Sequence, residues 1–163
     1  MIDLGRITLP EDFKLVEAIP ITTTNLALVG DYISLKNAQH VTIVVSLKQA
    51  VGHATSITIE KATAVGGTGA TAITADVQIW ANEDTAATDT LVRKTDALSY
   101  AVTNDIKNKQ VVFKVDTASL DGDYDCLVVK IAASSQATNF ASAVYYLGDL
   151  RFSQATPPSA IID

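Results

Sequence analysis

A chain of 163 residues is long enough for one domain with a real core, since a chain of this size buries roughly 70% of the surface its unfolded form exposes. The formal charge of -6, from 12 Lys and Arg against 18 Asp and Glu, opposes phosphate tracking, which draws on clustered cations, so nucleic acid is not an expected partner. The single cysteine, Cys126, excludes an intramolecular disulfide and the paired-cysteine zinc patterns.

The first residues, Met1-Ile2-Asp3-Leu4-Gly5-Arg6 and then Glu11, Asp12, Lys14 and Glu17, lack the basic start and apolar core of a signal peptide, so synthesis in the cytoplasm without export is expected. No apolar run reaches the 18 or so residues of a membrane helix, and no membrane partner is expected. Residues 1–25, with Pro10, Pro20 and a Thr22-Thr23-Thr24 run, carry apolar residues without a clean period. They read as an extended N-terminal arm or an added edge strand, dispensable up to residue 20 for folding of the rest.

From residue 26 onward, period-2 alternation and β-branched residues dominate. Strands are predicted at 31–35, 41–48, 56–62, 75–81, 90–94, 98–102, 110–116, 125–132 and 142–152, the last broken at Gly148-Asp149. In Ser56-Ile57-Thr58-Ile59-Glu60 the isoleucines share one face, as a half-buried antiparallel strand requires. The stretches 41–47 and 126–131 are apolar on both faces, which places them centrally or against another subunit. About nine short strands separated by turn residues predict an all-β, β-sandwich or jelly-roll-like single domain over 26–153, with no derivable strand order. Residues 154–163, containing Pro157-Pro158 and ending in Ile161-Ile162-Asp163, form an extended C-terminal tail that docks on something.

Several stretches invite a chemical reading. Gly67-Thr68-Gly69-Ala70-Thr71-Ala72 fits the dinucleotide fingerprint, and Asp89 stands at the distance of the ribose acid. The alternating Ile73-Thr74-Ala75-Asp76-Val77-Gln78-Ile79-Trp80 that follows predicts a strand instead of the required helix. Gly66, Gly67 and Gly69 therefore read as an inter-strand loop. Asp121-Gly122-Asp123-Tyr124-Asp125 begins like a calcium loop, but Cys126 and Ala132 stand where Gly and Glu are needed. An Asp-Gly turn feeding a strand is the expectation.

His40 and His53 each lack a neighbouring metal ligand and read as strand-end or loop residues. There is no G-x-S-x-G elbow, and Glu11-Asp12, Glu83-Asp84 and Asp121-Asp123 read as solvated acids, not as carboxylates opposed across a cleft. Trp80 with Tyr145-Tyr146 could form a sugar platform, but aromatics are only 6% of the chain, and core and interface packing is the simpler account of them. No catalytic, metal-binding or cofactor-binding residue is assigned, no cofactor is expected, and the chain reads as not an enzyme.

Four stretches, Gly30-Asp31-Tyr32-Ile33-Ser34-Leu35-Lys36-Asn37, Val77-Gln78-Ile79-Trp80-Ala81-Asn82, Tyr124-Asp125-Cys126-Leu127-Val128-Val129 and Thr156-Pro157-Pro158-Ser159-Ala160-Ile161, resemble a group of small tailed-bacteriophage structural proteins encoded near the major capsid protein. The resemblance runs in order from about residue 26 to the end. It implies a virion protein of the capsid decoration (cement) type, with no catalytic motif. Such a protein binds the outer surface of the major capsid protein shell, on the capsid exterior, as a homo-oligomer with a trimer as first guess. A tail or head-completion protein is the alternative within the virion, and a carbohydrate-binding sandwich the alternative outside it.

Overall fold

The computed structural model describes residues 7–152 and 154–162; the outer ends of the predicted arm and tail, residues 1–6 and 163, and residue 153 lie outside the described residues. Among these residues twelve strands form two antiparallel sheets. In chain order they are β1 (Lys14–Thr23), β2 (Leu28–Val29), β3 (Ile33–Ser34), β4 (His40–Lys48), β5 (Ser56–Ala62), β6 (Thr71–Ala72), β7 (Gln78–Asn82), β8 (Val92–Arg93), β9 (Ser99–Ala101), β10 (Asn108–Asp116), β11 (Cys126–Ile131) and β12 (Phe140–Gly148). Sheet A has the order β1-β12-β4-β10-β7-β8, and sheet B has β2-β11-β5-β6, with β3 also on β11 and β9 also on β5. The fold is all-β and sandwich-like, and no helix among the described residues is long and apolar enough to cross a membrane.

Alternation decides which residues meet between the sheets. On β4 the inward row is Val41, Ile43, Val45 and Leu47; on β10 it is Lys109, Val111, Phe113 and Val115; on β12 it is Ala141, Ala143, Tyr145 and Leu147, and all are buried. Sheet B answers with Ile57, Ile59 and Lys61 from β5 and Leu127, Val129 and Ile131 from β11. The two stretches that are apolar on both faces, in β4 and β11, are interior strands of their sheets.

The structure departs from the sequence expectation at definable places. Lys14–Thr23 form an edge strand, one of the two forms expected of residues 1–25, but they pair with β12 and bury Ala18 and Ile19, against the expectation that residues up to 20 are dispensable for folding. Register shifts between Glu17 and Ile19 and between Ile19 and Thr22 break the alternation there. A cut at residue 20 therefore removes sheet, whereas a cut before Lys14 spares it. The predicted strand 31–35 is reduced to Ile33–Ser34, and a second short strand, β2, precedes it. The predicted strand 142–152 begins at Phe140 and ends at Gly148, where Asp149 turns the chain with φ 49°. Leu150 to Phe152 are therefore not strand. Predicted strands 75–81, 90–94 and 98–102 shorten to β7, β8 and β9.

The gap between β2 and β3 is a bulge. β11 pairs with β2 at Lys130↔Val29 and with β3 at Leu127↔Ile33, so Gly30, Asp31 and Tyr32 face only Val128 and Val129. The misaligned backbone groups are taken up by sheet A. The Tyr145 hydroxyl crosses the core, accepts the Val129 amide at 2.8 Å and donates to the Asp31 carbonyl at 3.0 Å, while the Asp31 amide donates to Ala18 of β1 at 3.0 Å. Burial pushes the Tyr145 phenol up, so it stays a protonated donor. A Cβ on Gly30 would lie 3.1 to 3.2 Å from the Tyr145 hydroxyl, the Val129 carbonyl and the Ala18 carbonyl, so any side chain here would push on the three groups that close the bulge.

Tyr145→Phe keeps the ring and removes only the hydroxyl, leaving the buried Val129 amide and the part-buried Asp31 carbonyl without that partner. We expect a loss of about 2 kcal/mol in urea unfolding with an unchanged m-value. A loss below a few tenths of a kcal/mol would show that the bulge is held by its backbone bonds alone.

Candidate functional site

The glycine stretch is the turn of a hairpin. β5 and β6 pair at Lys61↔Thr71 and Glu60↔Ala72, and the turn closes through Thr63 N–H to Thr68 O and Gly67 N–H to Ala64 O, both 2.9 Å. Gly67 has φ 77°, and a Cβ there would meet the Tyr32 ring at 2.9 Å. The chain continues to β7 rather than into a helix. It has no helix N-terminus to receive a pyrophosphate.

Several of the acidic groups answer to separate partners. Asp12 accepts the Thr8 amide at 2.6 Å. Asp84 pairs with Lys107 at 2.8 Å, Asp121 pairs with Lys61, and Asp125 pairs with Lys36 at 3.6 Å. The Asp121 carbonyl accepts the Tyr124 amide at 2.8 Å, closing the Asp-Gly turn ahead of β11. Among the described residues no three His, Cys, Asp or Glu side chains gather as a metal would need. His40 Nδ1 lies 3.3 Å from Asp149, and the His53 carbonyl accepts the Gln49 side-chain amide.

Two lysines occupy inward rows that are otherwise apolar, one at each end of the sandwich. Lys109, its side chain fully buried, reaches Thr103 O at 2.5 Å, Thr103 Oγ1 at 2.6 Å and Glu83 at 3.1 Å. Glu83 also accepts the Tyr100 hydroxyl at 2.7 Å. Burial alone would raise the Glu83 carboxyl, but hydrogen bonds from Tyr100 and Lys109 and the lysine charge outweigh it and hold the group below its ordinary value. At the opposite end Lys61 is bound by Thr74 and Asp121, with its ammonium 4.6 Å from the centre of the Tyr124 ring. The sequence reading missed Lys109 because its strand began at Gln110; starting two residues earlier puts a lysine in the core row.

The proposed aromatic platform does not assemble. Tyr145 is in the core and Tyr146 faces out, because neighbours on a strand take opposite sides. Trp80 faces out from β7, where the Arg93 guanidinium sits 4.8 Å above its ring.

Both described terminal segments meet at the Lys61 end. Lys14 Nζ donates to Pro157 O at 3.4 Å, and the Ser34 amide donates to Ala160 O at 2.7 Å. Ser34 is already paired with Cys126 of β11, so the tail adds a main-chain contact to the outer edge of β3. Beneath it lies a cavity of about 140 Å³ lined by Lys14, Ser34, Leu147, Leu150, Phe152 and Pro157. Pro157 and Ala160 are buried, while Ile7, Leu9, Phe152, Ile161 and Ile162 are exposed. Three of the four stretches that carry the resemblance, 30–37, 124–129 and 156–161, are thereby brought together; the fourth is β7, in the other sheet.

For the buried ion pair, Glu83→Gln leaves the Lys109 ammonium in the core without its counter-charge and should cost about 3 kcal/mol at pH 7. Because the folded carboxyl titrates below its ordinary 4.5, its contribution is complete above that value and is lost as pH falls through the folded one. The stability gap between wild type and variant should therefore be flat from neutral pH down to about 5 and narrow below it. A gap that widens on acidification would contradict the pairing.

No family model and no curated protein matches the sequence. Among solved structures, that of the SPBc2 prophage-derived protein YomS is similar over 87% of this chain and 96% of that one, with a TM-score of 0.50 at 13% identity. That likeness shows the sandwich fold the two chains have in common.

Proposed function

We propose that this chain is a structural protein of a bacteriophage virion, specifically a capsid decoration (cement) protein that binds the outer surface of the major capsid protein shell and stabilises the head without catalysing a reaction. The observation that carries the reading is the terminal end of the sandwich, where Phe152, Ile161 and Ile162 stay exposed beside a tail anchored by Pro157 and Ala160, and where the segment that leads into β1 carries exposed Ile7 and Leu9. Exposed large apolar side chains are what a surface-burying protein brings to its partner; others, among them Ile21, Leu26 and Ile106, are exposed elsewhere on the chain, and the terminal set is distinguished by the docked tail beside it. The sequence resemblance, strongest in that same tail, and the fold shared with a prophage-derived protein support it.

Each copy need contribute little affinity, because shell symmetry repeats the contact and oligomerisation, with a trimer as first form, multiplies it. The low share of charged residues, 18%, suits packing beside neighbours. Copies made in the host cytoplasm would add to the finished exterior of the capsid.

The test is to mix the purified protein with empty shells of the major capsid protein, sediment them and image the pellet. We expect density repeated over the whole shell and a higher shell melting temperature. A version ending at Ser153 should lose about 1 kcal/mol of its own stability, from the Ser34 to Ala160 contact, yet fail to co-sediment. Density confined to the neck or tail would make it a head-completion or tail protein, and absence of shell binding would overturn the reading.

A further inference from the structure

The outer face of sheet A, at the end opposite the termini, holds a groove of about 540 Å³, a size typical of ligand sites. Register alone builds its floor. Ser142 of β12 stands opposite Ser46 of β4, Ser46 opposite Gln110 of β10, and Gln110 opposite Asn82 of β7. The next outward row is Phe140, Lys48 and Asn108. The 85–89 loop, with Thr85, Thr88 and Asp89, forms one wall, and Ile21 of β1 another.

The walls are fixed from within and the floor is left unspent. Asn82 Nδ2 donates to Thr88 O at 2.7 Å, the Thr85 amide donates to Asn108 O at 2.9 Å, and the Asp84 amide donates to Asn82 Oδ1 at 2.9 Å. Under the floor, the Lys109 to Glu83 and Thr103 network ties β10 to the start of the loop. By contrast, among the described residues the side chains of Ser46, Gln110, Ser142 and Asn108 make no hydrogen bond, and neither Lys48 nor Asp89 has an ion-pair partner.

From this we infer that the groove binds a short neutral oligosaccharide. Hydroxyl and amide side chains both donate and accept, as sugar hydroxyls do, and one ammonium with one carboxylate leaves the site without net charge. Phe140 offers an aromatic surface for the C–H face of a pyranose. Four adjacent strands span roughly 14 Å, room for about three linked rings. Trp80 is not part of this site: it lies in the next outward row, Val144, Val44, Val112 and Trp80, and its ring is already covered by Arg93. The inference goes beyond the decoration reading and does not rest on it, because shell attachment is assigned to the opposite end.

The test titrates the isotope-labelled full chain separately with four neutral trisaccharides, maltotriose, cellotriose, mannotriose and N,N′,N″-triacetylchitotriose, and with the anion trigalacturonate, each to about 10 mM, and follows backbone amide shifts. At least one of the four should saturate, with shifts confined to residues 46–48, 85–89, 108–110 and 140–142. Gln110→Ala and Ser46→Ala, both outside the core, should each weaken binding roughly fivefold to tenfold, while Trp80→Ala should not change it. The inference is overturned if none of the four shifts the spectrum, if the shifts map elsewhere, if both floor variants bind as wild type does, or if trigalacturonate binds more tightly than every neutral probe. Sedimentation with capsid shells, repeated with Gln110→Ala, should be unaffected, so a failure here is distinguishable from a failure of the decoration reading.

Discussion

One extra residue in sheet B, and the hydroxyl that answers it from sheet A, organise the rest of the sandwich. Gly30 to Tyr32 outnumber the two residues of β11 that they face; the Gly30 amide still donates to the Val129 carbonyl at 2.9 Å, but the Val129 amide and the Asp31 carbonyl need a partner from elsewhere. Tyr145 supplies both a donor and an acceptor on a rigid arm long enough to cross between sheets packed about 10 Å apart. The same contact fixes which part of β12 lies over β11, and the Asp31 amide bound to Ala18 fixes β1 beside it. The crossing from sheet A to sheet B between β1 and β2 is thereby pinned on both sides.

The buried lysines set the limits of the core along the strands. A lysine in an apolar row costs desolvation that a methionine would not, and a buried pair is a poor source of net stability. What it does supply is a fixed attachment for neighbouring loops. Lys109 holds Thr103, just after β9, and Glu83, just after β7. Lys61 holds Thr74, just after β6, and Asp121, before β11. Each lysine thus gathers loops from separate parts of the chain at one end of the sandwich, and the groove on sheet A is floored by strands held in this way.

Legibility followed the range of the interaction that shapes each segment. β5 was predicted with the bounds the structure has, because alternation between isoleucines and polar residues is a local signal. The break at Gly148-Asp149 was also local, and it coincides with a left-handed residue. β1 was obscured because its two register irregularities place Ala18 and Ile19 inward together, an arrangement that depends on β12 far along the chain. The bulge at Gly30 to Tyr32 likewise exists only against β11. Splitting of the tyrosine pair, however, was readable: adjacent residues of a strand cannot share a face, so Tyr145 and Tyr146 could never have formed one platform. The groove depends on the register of four strands whose order no local pattern reveals.

The sheet edges bear on how such a chain can associate. β1 is the long edge of sheet A, but its bulges, Pro20 and the charges of Lys14 and Glu17 leave few evenly spaced backbone groups for a neighbouring strand. At the far side β8 is only two residues long. In sheet B the bulge interrupts β2 and β3, the tail already occupies the Ser34 amide, and β6 and β9 are short. Every edge is therefore blunted against strand-by-strand pairing. The tail is different, because it is held by the Ser34 amide on the Ala160 carbonyl, by Lys14 on the Pro157 carbonyl and by burial of Pro157 and Ala160. Main-chain pairing at the β3 edge is thus already taken by residues 157–160, in the part of the sequence where the resemblance to phage structural proteins is most distinctive.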